Sequence, residues 1–286
     1  SRDAGQTFEQ VSGQNMLPTG AVTDIIVDPA SESDASTPFE VTYFVAVREA
    51  GIFRGVYDTR TAEFTRWDDV SFTLLANYLG STDTFGRTLL AAHNSTNSGG
   101  QTILYAAIAD QAEPRLIDVY RSDDDGVNWF AMDMFPPETI EDSGFVGLHV
   151  GDTGQAEKNL SLLAHPTDPE VVFIGGDRQP GPFTSGPNAS GCSAYVGRLF
   201  RGDVDPATNG IDDDGDGDVD EADEASNIGS QQQVWEPIVC NFAHGTAPHA
   251  DSRFMAWDPT DGSLIQLDDG GIYKLHQPDA RSTDSG

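Results

Sequence analysis

Between residues 212 and 223 the chain reads Asp212-Asp213-Asp214-Gly215-Asp216-Gly217-Asp218-Val219-Asp220-Glu221-Ala222-Asp223. Counted from Asp212, side-chain carboxylates fall at the first, third and fifth places, a glycine at the sixth, and further carboxylates at the ninth and twelfth. Oxygen ligands at that spacing can wrap a hard divalent cation. Asp212, Asp214 and Asp216 supply the opening ligands, Gly217 the sharp turn, Asp218 a carbonyl, Val219 an apolar anchor, and Asp220 and Asp223 the closing carboxylates. Asp223 is a shorter arm than the glutamate usual at that place, which weakens the predicted grip. In so acidic a chain an Asp/Gly tract can also be a solvated, disordered run, but Gly217 and Val219 at their required places favour calcium. Ca2+ is therefore the predicted cofactor, held in an insertion over residues 203–233, with Asp203 and Asp205 as ligands for a weaker second ion.

The elements that position such a loop read as strands. Apolar residues come in short β-rich runs, such as 41–47, 103–108 and 171–174, separated by Gly, Pro, Asp, Ser and Asn clusters. One connection, Ser122-Asp123-Asp124-Asp125-Gly126-Val127-Asn128-Trp129, has the spacing Ser-x-Asp-x-Gly-x-x-Trp. The aspartate can accept backbone N–H groups of its own loop, the glycine supplies a positive φ, and the tryptophan packs back on the strands. The pattern recurs as Ser1, Asp3, Gly5 and Phe8, and begins again as Ser282, Asp284 and Gly286. A pattern that returns is a repeat.

These motifs resemble the Asp boxes (BNR repeats) of sialidases, sortilin-type receptors, xyloglucan-cleaving glucanases and photosystem assembly factors. Companion phrases agree: Asp28-Pro29, His165-Pro166-Thr167-Asp168-Pro169 and Asp258-Pro259 ahead of strands, and Gly51-Ile52-Phe53-Arg54 and Gly270-Gly271-Ile272-Tyr273-Lys274 further on. The resemblance implies an all-β chain, a β-propeller of four-stranded antiparallel blades over residues 1–286. About four blades are expected, either closing as a ring by pairing the first strand of the chain with the last blade or, the favoured reading, as part of a larger ring whose remaining blades lie in a longer parent chain. Of function it says little, because such proteins catalyse, bind or scaffold on one architecture. The acidic loop in turn resembles an EF-hand loop, and Asn209-Gly210-Ile211 ahead of it resembles the calcium repeats of secreted bacterial proteins.

With the Asp box taken as the turn between third and fourth strands, residues 7–11 are the outer strand of an incomplete blade. Complete blades are expected at 21–27, 41–47, 51–57 and 64–68; at 87–92, 102–109, 116–122 and 128–132; and at 160–164, 170–175, 194–201 and 234–240. A last blade has strands at 253–257, 263–267 and 271–275. In such meanders the long connections 133–159, 176–193 and 241–252 emerge on one face, where a ligand would bind. They carry His149, Asp152, Asp177, Arg178, His244, His249, Asp251 and Arg253, with Asp268 and Asp269 in the turn beside them. Facing carboxylates are what glycoside hydrolysis requires, and Asp177 and Asp251 are the first choices for acid and base. The competing reading is structural: His249 and Asp251 bond the backbone of their own loop. Pro248-His249-Ala250-Asp251-Ser252-Arg253 is similar to a His-Ala-Asp-x-His phrase of secreted Asp-box proteins, with Arg253 replacing the second histidine. Sialidase activity is disfavoured, because a cluster gripping a substrate carboxylate would need a third arginine beside Arg178 and Arg253.

The formal net charge of -32, from 47 acidic against 15 basic residues, repels nucleic acid and anionic membranes and suits solubility in a saline habitat. No run reaches the roughly 18 apolar residues of a membrane span. Without an initiator Met the chain reads as a piece of something longer. Cys192 and Cys240 either pair as a disulfide in an exported protein or stand as two buried thiols, and their spacing leaves both open. The expected function is an extracellular or cell-surface, calcium-stabilised module that binds a glycan or an extracellular protein on its loop-rich face, or scaffolds a larger exported protein. The alternative is a glycoside hydrolase using Asp177 and Asp251.

Overall fold

A computed structural model describes residues 8–33, 36–77, 85–96, 100–112, 115–132, 155–179, 191–192, 196–204 and 234–279. The described residues are dominated by antiparallel strands in sequential order. β1 (Val22–Val27), β2 (Glu40–Val47), β3 (Gly51–Asp58) and β4 (Glu63–Asp69) form one four-stranded sheet, and β5 (Phe85–Thr96), β6 (Thr102–Asp110), β7 (Leu116–Ser122) and β8 (Phe130–Ala131) a second. β9 (Ser161–Ala164), β10 (Val171–Arg178), β11 (Gly197–Asp203) and β12 (Val234–Pro237) form a third. β13 (Phe254–Asp258), β14 (Ser263–Asp268) and β15 (Gly271–Leu275) make a three-stranded sheet in the same up-and-down order. The fold is all-β, and its sheets are meanders of the kind that make propeller blades. Contacts group the chain into two compact units, Ser1–Ala112 with Tyr120–Ala131, and Glu113–Val119 with Met132–Gly286.

Two devices recur from sheet to sheet. In the first, an aspartate before a proline accepts the N–H two residues on: Asp28 from Ala30 at 3.0 Å, Asp168 from Glu170 at 3.0 Å, and Asp258 from Thr260 at 2.9 Å. The proline between has no N–H to offer, so the side chain closes a tight turn over it. The second is a glycine on a third strand opposite a tryptophan on the fourth: Gly55 pairs with Trp67 and Gly202 with Trp235. A Cβ on Gly55 would lie 2.4 Å from the Trp67 ring, and one on Gly202 2.7 Å from Trp235. Both indoles are at most 2% exposed, so each glycine makes room for the largest side chain of its sheet.

The corner after β7 is held by side chains. Ser122 Oγ donates to Asp124 Oδ1 and accepts from Gly126 N at 2.9 Å, while Asp124 Oδ1 accepts from Asn128 N at 2.7 Å. Gly126 takes φ 86° and Asp125 φ 61°. Trp129 is 3% exposed, and its Nε1 donates to the Val70 carbonyl at 2.7 Å.

Three expectations are corrected. Residues 8–11 form no strand, and Phe8 is 93% exposed, without the packing expected of a corner aromatic. Strand β8 is two residues long, because the corner's hydrogen bonds occupy Asn128 and Trp129 packs beneath it. Asp177 belongs to strand β10, not to the loop that follows. Ser1, Asp3, Gly5, Ser282, Asp284 and Gly286 lie outside the described residues, as do His149, Asp152, Asp205 and the whole calcium run from Asp212 to Asp223.

Candidate functional site

The ends of the three connections expected to share a face do meet, in the second unit. Strand β10 pairs with β11 in regular register up to Gly175, then slips before Arg178. A bulge of this kind bends a strand and re-aims one side chain, and here it falls at Asp177. Segment 248–252 is stitched across the same place, with Gly197 N donating to Pro248 O at 3.0 Å and Ser252 N to Gly176 O at 2.9 Å. Asp251 adopts φ 69°, a left-handed conformation that aspartate tolerates better than most residues.

This backbone brings the Asp251 carboxyl beside those of Asp177 and Asp269. Asn159, at the end of the first connection, donates Nδ2 to Asp251 Oδ1 at 2.6 Å and is itself buried. His249 Nδ1 lies 2.8 Å from Asp269 Oδ1 and 3.3 Å from the Ala250 carbonyl. Asp268 accepts the N–H groups of Gly270 and Gly271 on one oxygen, at 2.9 and 3.0 Å. Its other oxygen is buried without a hydrogen-bond partner.

Burial, and the repulsion between neighbouring carboxylates, raise the pKa of Asp251. Burial first, then the hydrogen bond and charge of Asp177, then Asp269, push it up to about 6. Burial also raises Asp268, while the Ala250 carbonyl and then Asp269 raise His249. The cluster therefore offers carboxylate acceptors, one carboxyl that can donate, and an imidazole that favours its charged form. Ligand atoms of His249, Asp268 and Asp269 lie within 4.8 Å of one another, an arrangement whose donor types suit a divalent cation.

Glycoside hydrolysis needs carboxyls about 5–5.5 Å or 6.5–9.5 Å apart, with sugar or water between. Asp177 and Asp251, the pair singled out for such chemistry, lie beside each other. Arg253 is exposed and directs Nη1 to the Lys158 carbonyl at 3.0 Å. Arg178 is exposed at the end of β10, its carbonyl accepting from Arg198 Nε at 2.8 Å. His244 ends the short 3-10 turn Asn241–Ala243 with φ 51°. Cys192 and Cys240 form a disulfide, with Cα atoms 5.4 Å apart. Asn159 was not singled out in the sequence, where one amide in a long polar connection carries no mark.

Fold and site together define an all-β protein of propeller-blade sheets with an acidic cluster at strand ends. No family profile and no curated protein matches the chain. Among solved structures it is similar to the NanB sialidase from Streptococcus pneumoniae, at 10% identity and a TM-score of 0.44, covering 98% of this chain and 35% of that one. It is also similar to a complex of KlAtg21 with the coiled coil of AgAtg16, at 13% identity and a TM-score of 0.34, covering 90% of this chain and 52% of the other. The chain spans about a third and about half the length of these two proteins.

Proposed function

We propose that this chain is an exported, calcium-stabilised propeller module that binds a glycan through the cluster of Asp177, His249, Asp251, Asp268 and Asp269. The observation that carries the reading is the contact of Asp251 with both Asp177 and Asp269 beside the half-exposed His249. Carboxylate oxygens there can accept pairs of sugar hydroxyls, and the Asp251 carboxyl and His249 can donate to ring and hydroxyl oxygens. The Cys192–Cys240 disulfide supports an oxidising, extracellular setting, and the ligand spacing of 212–223 supports calcium.

A second reading, hydrolysis, is favoured by one observation, the elevated Asp251, since a carboxyl with pKa near 6 is suited to protonating a leaving oxygen. One experiment separates the two. The protein is screened in calcium buffer against a glycan panel for binding and for release of reducing sugar, with Asp251→Asn and Asp269→Asn in parallel. Binding without turnover, weakened at least about 10-fold by Asp269→Asn, supports the binding module. Turnover that disappears in Asp251→Asn supports the hydrolase, and no glycan bound by the parent protein refutes both.

A further inference from the structure

The second unit also holds a cavity of about 240 Å³, formed where β11, β14 and β15 approach the segment that follows β12. Its walls are largely apolar, including Leu199, Ile238, Pro248, Leu264 and Leu275, and one polar side chain among them stands out. Gln266, in the middle of β14, is 2% exposed, and neither its Oε1 nor its Nε2 has a hydrogen-bond partner. Two other polar groups of the lining are occupied. Thr246 Oγ1 donates to the Ala243 carbonyl at 2.6 Å, and Lys274 Nζ bridges Asp258 and Asp261 at 2.8 and 2.9 Å.

A buried amide with a donor and an acceptor both unmet is unfavourable, and a methionine or leucine would fill the same space without that cost. The terminal torsion of glutamine is soft, so a small rotation turns both amide atoms toward the cavity. We infer that this cavity is a ligand site for an uncharged carboxamide on a small apolar body. The C=O and the syn N–H of a primary carboxamide would pair with Nε2 and Oε1 of Gln266, and the alkyl or aryl part would pack against Leu199, Ile238, Leu264 and Leu275. An anion is a poor occupant, because Lys274 is already shared between two carboxylates and the net charge of the chain is -32. The volume lies below the roughly 300–1,000 Å³ of drug-sized pockets, so the site takes one amide with one apolar substituent. That chemistry occurs both in free primary amides and in an amidated peptide end beside an apolar side chain.

The test compares phenylacetamide with methyl phenylacetate, which keeps the carbonyl and the ring and lacks the N–H, by chemical-shift titration of the intact protein. Acetyl-leucinamide forms a third arm, and whichever amide binds more tightly identifies the source as free amide or peptide. The parent protein is expected to prefer the amides to the ester by about 10-fold. In Gln266→Met, of matched volume, that preference should fall to about one while the melting temperature is held or raised. Equal binding of ester and amide, no binding of either amide, or a preference that persists in Gln266→Met would overturn the assignment. If Gln266→Met unfolds, the ester-to-amide ratio on the parent protein alone still decides the matter.

Discussion

The carboxyl of Asp251 lies beside that of Asp177, a residue of strand β10, at the bulge that ends the pairing of β10 with β11. Such a contact is favourable only while one partner keeps a proton.

This gives the site a pH signature. The folded pKa of Asp251, about 6, lies above its unfolded value near 4, so between those values the folded chain holds a proton that the unfolded chain has released. The stability contributed is fully present below the unfolded value and is lost as pH rises through about 6. Asp251→Asn removes the charge and tolerates the left-handed backbone. The variant should be more stable than the parent by about 1 kcal/mol at pH 8, a figure reduced for the water that reaches the group, and equal to it at pH 4. Melting curves at the two pH values check this, and a loss of stability at both would contradict it.

The corner between β7 and β8 should behave as a structural staple of the first unit. A Cβ on Gly126 would meet Val70 at 3.1 Å from a backbone with φ 86°, so Gly126→Ala should cost about 1–2 kcal/mol. Trp129→Ala empties a buried site and orphans the Val70 carbonyl, at about 3–5 kcal/mol. Urea midpoints measure both, and a Trp129→Ala cost under 1 kcal/mol would show that the corner holds nothing.

The disulfide closes a loop with a sequence separation of 48. Loop-closure entropy puts its contribution at about 4 kcal/mol, with 2–4 kcal/mol typical. Replacing both Cys192 and Cys240 by serine should lower the guanidinium midpoint accordingly, and reductant should then have no further effect. A variant as stable as the parent would refute the estimate.

Calcium binding at Asp212, Asp214, Asp216, Asp218, Asp220 and Asp223 is tested by chelation. Calcium should raise the melting temperature and slow proteolysis within 203–233, and Asp212→Asn combined with Asp216→Asn should abolish both responses. A thermal midpoint and cleavage pattern indifferent to calcium would remove the site.

Much of this architecture was legible in the chain because its signals are local. The β-rich runs located β2, β3, β6, β7 and β15 closely, and the Ser122–Trp129 spacing located the corner, since strand propensity and turn chemistry act over a few residues. Asp177 and Asp251 were brought to one face by following the meander. Other features were hidden. No local signal separates Gly55 or Gly202 from any strand glycine until Trp67 and Trp235 are seen across the pair. Gln266 looked like one polar residue in an alternating strand, and its burial appears only when β11 and the 241–248 segment close over it.

By itself, then, the order of residues determined which segments extend, where they turn and which connections gather, because neighbours along the chain settle those choices. The tertiary structure decided that Asp251 lies beside both Asp177 and Asp269, and that Gln266 ends without a partner. The physical reason is distance: a hydrogen bond forms or fails within a few tenths of an ångström around 3 Å. That margin is set here by one bulge and one left-handed residue, acting between segments far apart in the chain.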